Sequence, residues 1–395
     1  MVSLPSLESA NIKNKRVFVR CDFDIPLVAR GPVARFPPAS ARSRNTDIRA
    51  VGSLSSGTTP RNFKIADDTR LVSGISTIEY LLENGATVIA AGHLGRPKAA
   101  YGIQNTEYSL KPVVDWFAEE FPGTSVKQTN IGGFAAWRLK ENFYILENLR
   151  FYKGEEENDR TFSHKLAYLA DVYVNEAFGS SHRPHASIVG IPALLPHFAG
   201  FHFQKEIKIL TSIIENPKRP FTFIVGGAKI ETKLPLISRM HKFADYVLVG
   251  GELASQDKVL IEEQHRSSSD QRALLLIADP NDEKSDITKQ SLENFLRVIS
   301  RSKTIIWNGP MGILNQKSNI KSQILGEVDE GYTSFKLAEG IIASGAYKVV
   351  GGGDTVAFLN KHGLLGKFDF ASTGGGAMLE FLSGESLPGI LALQN

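Results

Sequence analysis

The chain has 395 residues, of which 42% are hydrophobic and 22% charged, and its formal net charge is +3. This composition is typical of a folded globular protein and excludes collagen-like, coiled-coil and wholly disordered chains, while the length predicts two domains. The sequence has a single cysteine, Cys21, no run of about 20 apolar residues and no signal-peptide pattern, so we expect a cytoplasmic protein without a disulfide or a membrane span.

A basic segment follows the first predicted strand. Between Val28 and Lys64 there are seven Lys or Arg residues and one acidic residue, a net charge of +6. The segment is rich in Pro, Ser, Gly and Thr and has no regular periodicity, so we interpret it as a disordered insertion. Its arginines could attract an anionic substrate or nucleic acid, but a solvated loop without a role is the favoured interpretation, and no nucleic-acid partner is expected.

Short β-branched runs alternate with amphipathic stretches along the rest of the chain, which predicts an α/β fold with a parallel sheet in each of two lobes. The predicted strands are Arg16 to Cys21, Ala86 to Ala91, Phe143 to Leu146, Val172 to Val174, Phe221 to Val225, Tyr246 to Val249, Leu274 to Ile277, Thr304 to Trp307 and Lys348 to Val350. The lobe boundary is expected around Ile191 to Lys205, where Pro192, Pro196 and Gly200 interrupt the pattern.

Cationic residues follow the predicted strands of the first lobe. They are His93, Arg96, Arg150, His182 and Arg183, with Arg70 at the start of the helix after the insertion. Ligands of open parallel sheets bind beyond the carboxyl ends of the strands, and arginine binds phosphate or carboxylate with two parallel hydrogen bonds. The pattern predicts a small substrate with several negative charges.

Glycines follow the predicted strands of the second lobe. The clusters are Gly226-Gly227, Gly250-Gly251, Asn308-Gly309-Pro310, Gly351-Gly352-Gly353-Asp354 and Ser372 to Gly376. Glycine backbone lets N–H groups approach phosphate oxygens, although neither a P-loop nor a dinucleotide motif is present. Lys229 and Lys233 could neutralise phosphate, and Asp354 could bind Mg²⁺, cap the following helix, or do both.

Nine segments of the sequence resemble phosphoglycerate kinases. They are RVFVRCDFDIPL, DDTRL, GHLGRPK, ENLRFYKGEE, YVNEAFGSSHRPHAS, GGAKIETK, WNGPMGIL, GGGDT and STGGGAMLEFLSGESLPG. The resemblance implies two Rossmann-like lobes joined by a hinge: residues 1–195 would bind 3-phosphoglycerate, residues 196–380 would bind Mg-nucleotide, and residues 381–395 would return to the first lobe.

The resemblance also implies the reaction and the roles of residues. A monomer would transfer the acyl phosphate of 1,3-bisphosphoglycerate reversibly to ADP, with Mg²⁺ as cofactor, giving 3-phosphoglycerate and ATP. The implied substrate-binding residues are Asp22, Asp24, Arg70, His93, Arg96, Arg150 and Arg183. The implied nucleotide-binding residues are Gly226, Gly227, Lys229, Lys233, Asn308, Asn315, Gly351, Gly352, Gly353, Asp354 and Thr355. Arg70, Lys233, Gly353 and Gly376 would be catalytic, and Asp354 would bind the metal.

Two of these positions depart from the family pattern. Asp24 replaces an asparagine, so it would repel an anionic ligand unless a positive group pairs with it, and Asn315 replaces a glutamate that contacts the ribose. Together with the insertion, these departures leave open an alternative: a catalytically impaired family member that acts as a binding or scaffold protein.

Overall fold

Two separate sheets, one in each half of the chain, form the framework of the molecule. The computed structural model describes residues 4–29, 63–97, 106–228, 230–256, 258–259, 261–262, 272–283, 285–314 and 331–394. All nine predicted strands are confirmed, each to within one residue at either end.

The first sheet has seven strands in the order β5-β6-β7-β4-β1-β8-β9. Their bounds are β1 Arg16–Arg20, β4 Thr87–Ala91, β5 Lys127–Ile131, β6 Phe134–Lys140, β7 Phe143–Leu146, β8 Val172–Asn175 and β9 His197–Ala199. The central strands are parallel, but β6 pairs antiparallel with both β5 and β7. The α/β class with mainly parallel sheets is confirmed, and in the first sheet the antiparallel pairs lie at this edge.

The second sheet has six strands, all parallel, in the order β12-β11-β10-β13-β14-β15. Their bounds are β10 Phe221–Val225, β11 Tyr246–Val249, β12 Leu274–Ile277, β13 Thr304–Asn308, β14 Tyr347–Gly351 and β15 Phe370–Ala371. This is the strand order of a doubly wound nucleotide-binding fold, in which the direction of winding reverses between β10 and β13.

Helices cover both faces of the two sheets. They are α1 Thr69–Glu83, α2 Lys111–Glu120, α3 Lys153–Glu156, α4 Arg160–Ala167, α5 Phe201–Glu215, α6 Ile230–Phe243, α7 Gly251–Gln256, α8 Lys289–Ile299, α9 Tyr332–Ala343, α10 Gly353–Lys361, α11 Gly376–Ser383 and α12 Pro388–Leu391. Alternate strand residues pack into different hydrophobic clusters, Phe223 into one and Ile224 into another, because both sheet faces are buried. None of the helices in the described ranges is long and apolar enough to span a membrane.

The two ends of the basic segment form an antiparallel hairpin. Strand β2, Leu27–Ala29, pairs with β3, Phe63–Ile65, so that Ala29 is opposite Phe63. The segment predicted as an insertion over residues 28–64 is therefore strand at both ends. Its remaining part, residues 30–62, lies outside the described residues, and the prediction of disorder stays a prediction there.

The passage from one sheet to the other lies in α5. Strand β9 pairs with β8, so the first sheet extends beyond the predicted limit at residue 195. At the other end of the chain, the backbone N–H of Gly389 in α12 donates to the carbonyl of Ser181, 2.8 Å away, which brings the last helix back to the first lobe.

Candidate active site

The cationic residues of the first lobe lie beyond the carboxyl ends of its central parallel strands. The chain leaves β1 towards Asp22, β4 towards His93 and β7 towards Arg150. Strand β1 lies between β4 and β8, so the direction of winding reverses at β1, and ligands of such sheets bind at that point. The topology therefore brings these side chains together although they are far apart in sequence.

Arg70 lies in the first turn of α1 and is anchored by two neighbours. Its Nη1 donates to the backbone oxygen of Asp24 at 2.8 Å and lies 3.3 Å from Asp22 Oδ1. The charge of Asp22 is the main reason that the pKa of Arg70 is raised. The second oxygen of Asp22, Oδ2, is buried and has no hydrogen-bond partner among the described residues.

His93 is held as a neutral imidazole by Arg20, which is not among the predicted site residues. Arg20, the last residue of β1, is fully buried and its Nη2 lies 2.9 Å from His93 Nδ1. Because a guanidinium can only donate, Nδ1 accepts and the imidazole proton is on Nε2. Burial lowers the pKa of His93 to about 4, with Arg20 and Arg150 acting in the same direction. The available signal was an arginine at the end of a buried strand.

Asp24 is stabilised as a carboxylate by neighbouring N–H groups and by the positive charge of Arg70. Its Oδ1 accepts a hydrogen bond from the Gly95 N–H at 2.8 Å, and its Oδ2 lies 3.7 Å from His93 Nε2. Burial acts to raise the pKa of Asp24, but His93, the Gly95 amide and Arg70 together lower it well below its usual range. Asp24 is therefore a carboxylate that its neighbours keep ionised.

Arg150 is buried behind this group, and Arg183 lies near it. Arg150 Nη1 donates to the Gly95 carbonyl at 2.6 Å, while Nη2 is buried without a hydrogen-bond partner among the described residues. Burial, and next the positive charge of Arg183, lower the pKa of Arg150 to about 10. Arg183 Nε contacts His182 Nε2 at 3.1 Å, and the side chain of Arg96 is exposed. The positive charges of Arg150 and Arg183 therefore lie near each other.

Lys233 lies on α6 and is next to the loops that follow β10 and β13. Its Nζ donates to the carbonyl of Gly226, directly after β10. Gly227 and Gly309 have positive φ angles of 84° and 92°, which favour glycine at both positions, and a Cβ added to either would lie 2.7 or 2.8 Å from this Nζ. The Gly226 N–H donates to the carbonyl of Asn308 at 2.9 Å, which ties the loop after β10 to the loop after β13 at the reversal point of the sheet.

The neighbouring loops bring the other predicted nucleotide-binding residues together. The side-chain Nδ2 of Asn308 is buried without a hydrogen-bond partner in the described part of the chain. Gly352, with a φ of 91°, leaves room for this amide, because a Cβ there would lie 3.2 Å from it. Thr355 is buried, and its hydroxyl accepts a hydrogen bond from the Gly309 N–H at 2.9 Å, so this side chain stabilises the loop after β13. Lys229 and Asn315 lie outside the described residues.

Asp354 is exposed in the first turn of α10, directly after Gly351 to Gly353. Within the described ranges, no group of three or more His, Cys, Asp or Glu side chains could hold a metal ion by itself. Mg²⁺ in phosphoryl-transfer sites usually has one or two carboxylate ligands, with water and substrate phosphates as the others. A single exposed carboxylate beside the glycine loops fits that kind of site.

The turn at Ser372 to Gly376 lies against the first lobe. A Cβ on Gly375 would lie 3.9 Å from Arg70 Nη2, and a Cβ on Gly376 would lie 3.8 Å from His182 Nε2. The backbone of this turn, which leads into α11, therefore lies next to the cationic residues of the first lobe. The arrangement can stabilise a negatively charged group between Arg70 and the glycine backbone.

Comparison with known proteins gives a consistent result. The family model for phosphoglycerate kinase matches residues 58–258 and 255–385. A phosphoglycerate kinase from Leptospira biflexa is 36% identical over 99% of this chain and 98% of its own length, and a cytosolic one from Nicotiana tabacum is 35% identical over 100% and 98%. The solved structure of phosphoglycerate kinase from Coxiella burnetii superposes with a TM-score of 0.74 at 27% identity, covering 99% of both chains.

Proposed function

The chain belongs to the phosphoglycerate kinase family, and from that premise we propose which residues of each lobe carry out the reaction. The reaction is reversible transfer of the acyl phosphate of 1,3-bisphosphoglycerate to ADP, which gives 3-phosphoglycerate and ATP in glycolysis. The enzyme is thus a phosphotransferase with a carboxyl group as acceptor. Nothing in these relatives supports the alternative of a scaffold protein.

The first lobe binds 3-phosphoglycerate or 1,3-bisphosphoglycerate. Arg150, Arg183 and Arg96 bind the phosphate at C3, because guanidinium groups form paired hydrogen bonds with phosphate oxygens. Asp22 has one buried carboxylate oxygen without a partner in the described ranges and accepts a hydrogen bond from the substrate hydroxyl. His93 contributes as a neutral group, since Arg20 occupies its Nδ1.

The second lobe binds the nucleotide. The backbone of Gly226, Gly227 and Gly351 to Gly353 approaches the phosphates, and the Asn308 amide donates to them. Support for this assignment comes from the Asn308 Nδ2 atom, which is buried without a partner among the described residues. Thr355 contributes indirectly, because its hydroxyl holds the loop after β13 in place. Lys229 and Asn315 remain predictions from the resemblance.

Transfer takes place between Arg70 and the glycine backbone at Gly374 to Gly376. Phosphoryl transfer needs alignment and stabilisation of negative charge more than covalent chemistry. Arg70 and Lys233 supply positive charge from the two lobes, and the N–H groups of Gly353 and Gly376 donate from the starts of α10 and α11. Closure of the lobes about the hinge would exclude water, which could otherwise accept the phosphoryl group.

Asp354 is the residue that would hold Mg²⁺. Bound there together with the nucleotide, Mg²⁺ would supply positive charge that offsets part of the negative charge of the phosphates. The exposed position of Asp354 beside Gly351 to Gly353 leaves its carboxylate accessible to such an ion.

The observation that carries the proposal is a set of buried polar atoms without hydrogen-bond partners in the described part of the chain, which belong to site residues of both lobes. They are Asp22 Oδ2, Arg150 Nη2, His182 Nδ1 and Asn308 Nδ2. Buried polar atoms are normally satisfied, and an unsatisfied one costs about 1–3 kcal/mol, so each of these has a reason to meet a ligand.

Calorimetric titration of single-site variants tests the assignment of one substrate to each lobe. Arg150→Ala should weaken binding of 3-phosphoglycerate by about tenfold to a hundredfold, because a charged hydrogen bond contributes about 1.5–3 kcal/mol. The same variant should bind Mg-ATP within about twofold of the parent chain. Lys233→Met should weaken binding of Mg-ATP and should bind 3-phosphoglycerate within about twofold of the parent chain.

Arg16→Ala is the matched control, because Arg16 is exposed at the opposite end of β1 and pairs with Asp171 at 2.8 Å. It should bind both ligands as the parent does. The assignment is wrong if Arg150→Ala binds 3-phosphoglycerate normally, or if it weakens both ligands equally.

We further propose that the protein works as a cytoplasmic monomer on small-molecule substrates. Support for the compartment comes from the relative in Nicotiana tabacum, which is named as cytosolic. Sedimentation of the purified chain at micromolar concentration would give a mass near 43.3 kDa for a monomer and about twice that for a dimer.

A further inference from the structure

A set of buried polar contacts joins the start of α5 to the turn at Ser372 to Gly376. His202 Nε2 lies 3.0 Å from Thr373 Oγ1 and 3.2 Å from Glu206 Oε1. The same oxygen of Glu206 accepts a hydrogen bond from the Thr373 N–H at 2.7 Å and lies 3.2 Å from the Thr373 hydroxyl. Thr373 directly precedes Gly374, so these contacts fix the backbone at the point where it enters the glycine turn.

The pair formed by His202 and Glu206 is almost completely buried. Glu206 is fully buried and the side chain of His202 is 11% exposed. The groups that face His202 are Glu206 and Lys205 on its own helix, Glu176 after β8, and Thr373 and Phe370 from the second lobe. Burial acts to lower the pKa of His202, but Glu206 and Glu176 outweigh it and the pKa is raised. A buried carboxylate needs a partner of this kind, because leaving it unpaired is costly.

The backbone of His202 continues the contacts into the first lobe. Its N–H donates to Glu176 Oε1 at 3.0 Å, and this oxygen also accepts from the Thr77 hydroxyl at 2.7 Å. Thr77 lies on α1, about two helical turns after Arg70. An unbroken series of hydrogen bonds therefore leads from the helix that carries Arg70, through His202, to the turn that faces Arg70.

We propose that His202 is a positioning residue for phosphoryl transfer, acting with Glu206 through Thr373. Together they set the backbone of Gly374 to Gly376 relative to Arg70. The inference rests on the proposed function, which gives that backbone and Arg70 their roles in transfer. A displacement of about 1 Å in such an arrangement can lower the rate about a hundredfold, so a residue that contacts no substrate can still control turnover.

Steady-state kinetics of two His202 variants test the proposal. His202→Leu removes the donor, whereas His202→Gln keeps an N–H donor of similar reach without the charge. We expect His202→Leu to lower kcat about tenfold or more, with KM for both substrates within about threefold of the parent. His202→Gln should keep at least about a third of the parent kcat at neutral pH. His164→Leu, at an exposed position on α4, is the matched control and should leave kcat unchanged.

A second variant covers the case in which His202→Leu does not fold. Thr373→Val preserves the shape of the side chain and removes only the hydroxyl that His202 contacts. It should also lower kcat with little change in KM. A purely structural role predicts a lower melting temperature with normal kcat for the folded protein, and that result would overturn the proposal.

The pH profile gives an independent readout. As pH rises through the raised pKa of His202, the imidazolium loses its charge and its ion pairing with Glu206. The kcat of the parent chain should therefore fall through that range, whereas His202→Gln should lack this step. An identical step in both proteins would contradict the proposal.

Arg70→Ala, measured in parallel, separates failure of this inference from failure of the proposed function. Normal turnover of Arg70→Ala would refute the proposed function itself. Loss of turnover in Arg70→Ala, with normal kcat in both His202→Leu and Thr373→Val, would refute the positioning role alone.

Discussion

Asp24 stands where the family has asparagine, and its two carboxylate oxygens have different surroundings. Oδ1 accepts from the Gly95 N–H, a contact that an asparagine oxygen would keep. Oδ2 faces His93 at 3.7 Å, longer than a hydrogen bond. The carboxylate thus reproduces one interaction of the family residue and replaces an amide donor with a negative charge. That charge lies among residues proposed to bind an anion, so it opposes binding.

Replacement of Asp24 by asparagine should tighten substrate binding. We expect Asp24→Asn to lower the Kd for 3-phosphoglycerate about two- to fivefold, because the side chain is 41% exposed and solvent weakens the repulsion. Turnover should be unchanged or higher. Since the pKa of Asp24 is lowered, the carboxylate is ionised throughout pH 5 to 8 and the ratio of the two Kd values should not vary with pH. Calorimetric titration at pH 6 and pH 8 measures both effects.

Asp115→Asn provides the control for that substitution. Asp115 is an exposed carboxylate on α2 that pairs with Lys111 of the same helix. Asp115→Asn should leave binding of 3-phosphoglycerate unchanged. A large fall in turnover on Asp24→Asn would instead show that this chain depends on the carboxylate.

Among the elements, the loop after β13 depends on the backbone conformation of one glycine. Gly309 has a φ of 92°, in the region that favours glycine, and a Cβ there would lie 2.1 Å from the Gly226 carbonyl oxygen. The loops after β10 and β13 can pack this closely only without that side chain. Their close packing is what holds Lys233 at the reversal point of the second sheet.

Gly309→Ala should therefore impair both folding and nucleotide binding. We expect a loss of about 1–3 kcal/mol in the free energy of unfolding, from backbone strain and displacement of the neighbouring loop. Binding of Mg-ATP should weaken at least about tenfold, because the loops that hold Lys233 move apart. Denaturant unfolding and calorimetric titration measure the two quantities.

Gly363→Ala separates the effect of backbone strain from the effect of displacing a neighbouring loop. Gly363 also has a positive φ, 67°, but a Cβ there would meet no atom of the described residues within 4 Å. Gly363→Ala should lower the free energy of unfolding by about 1 kcal/mol and leave Mg-ATP binding normal. Equal effects of the two substitutions on Mg-ATP binding would show that the close contact at Gly309 is unimportant.

At the scale of the whole molecule, the sequence is informative wherever strands are buried on both faces. Runs such as Phe221–Val225 are buried at every residue and apolar except at Thr222, because helices cover both sides of the sheet, and these strands were predictable. Strand β5, Lys127–Ile131, was not, because it is an exposed edge strand without apolar alternation. The hairpin of β2 and β3 was missed because 33 residues separate strands of three residues each.

Part of the candidate site was predictable from the sequence, because the topology of a parallel sheet brings the ends of its strands together. Residues such as Arg70 and Arg150 follow predicted strands or open helices, where topology alone brings them together. Arg20 was missed because its role comes from burial and from its contact with His93, which only the folded chain establishes. The link from His202 to Thr373 likewise joins residues 171 positions apart.

The central claim is that the phosphoryl group passes between Arg70 of the first lobe and the glycine backbone of the second. The most direct test is coupled turnover with 3-phosphoglycerate and Mg-ATP, comparing the parent chain with Arg70→Ala and with the Arg16→Ala control. We predict turnover in the parent and control, and a kcat at least about a hundredfold lower in Arg70→Ala, with both substrates still bound. Turnover that survives Arg70→Ala, or a parent chain that binds both substrates without turnover, would contradict the claim.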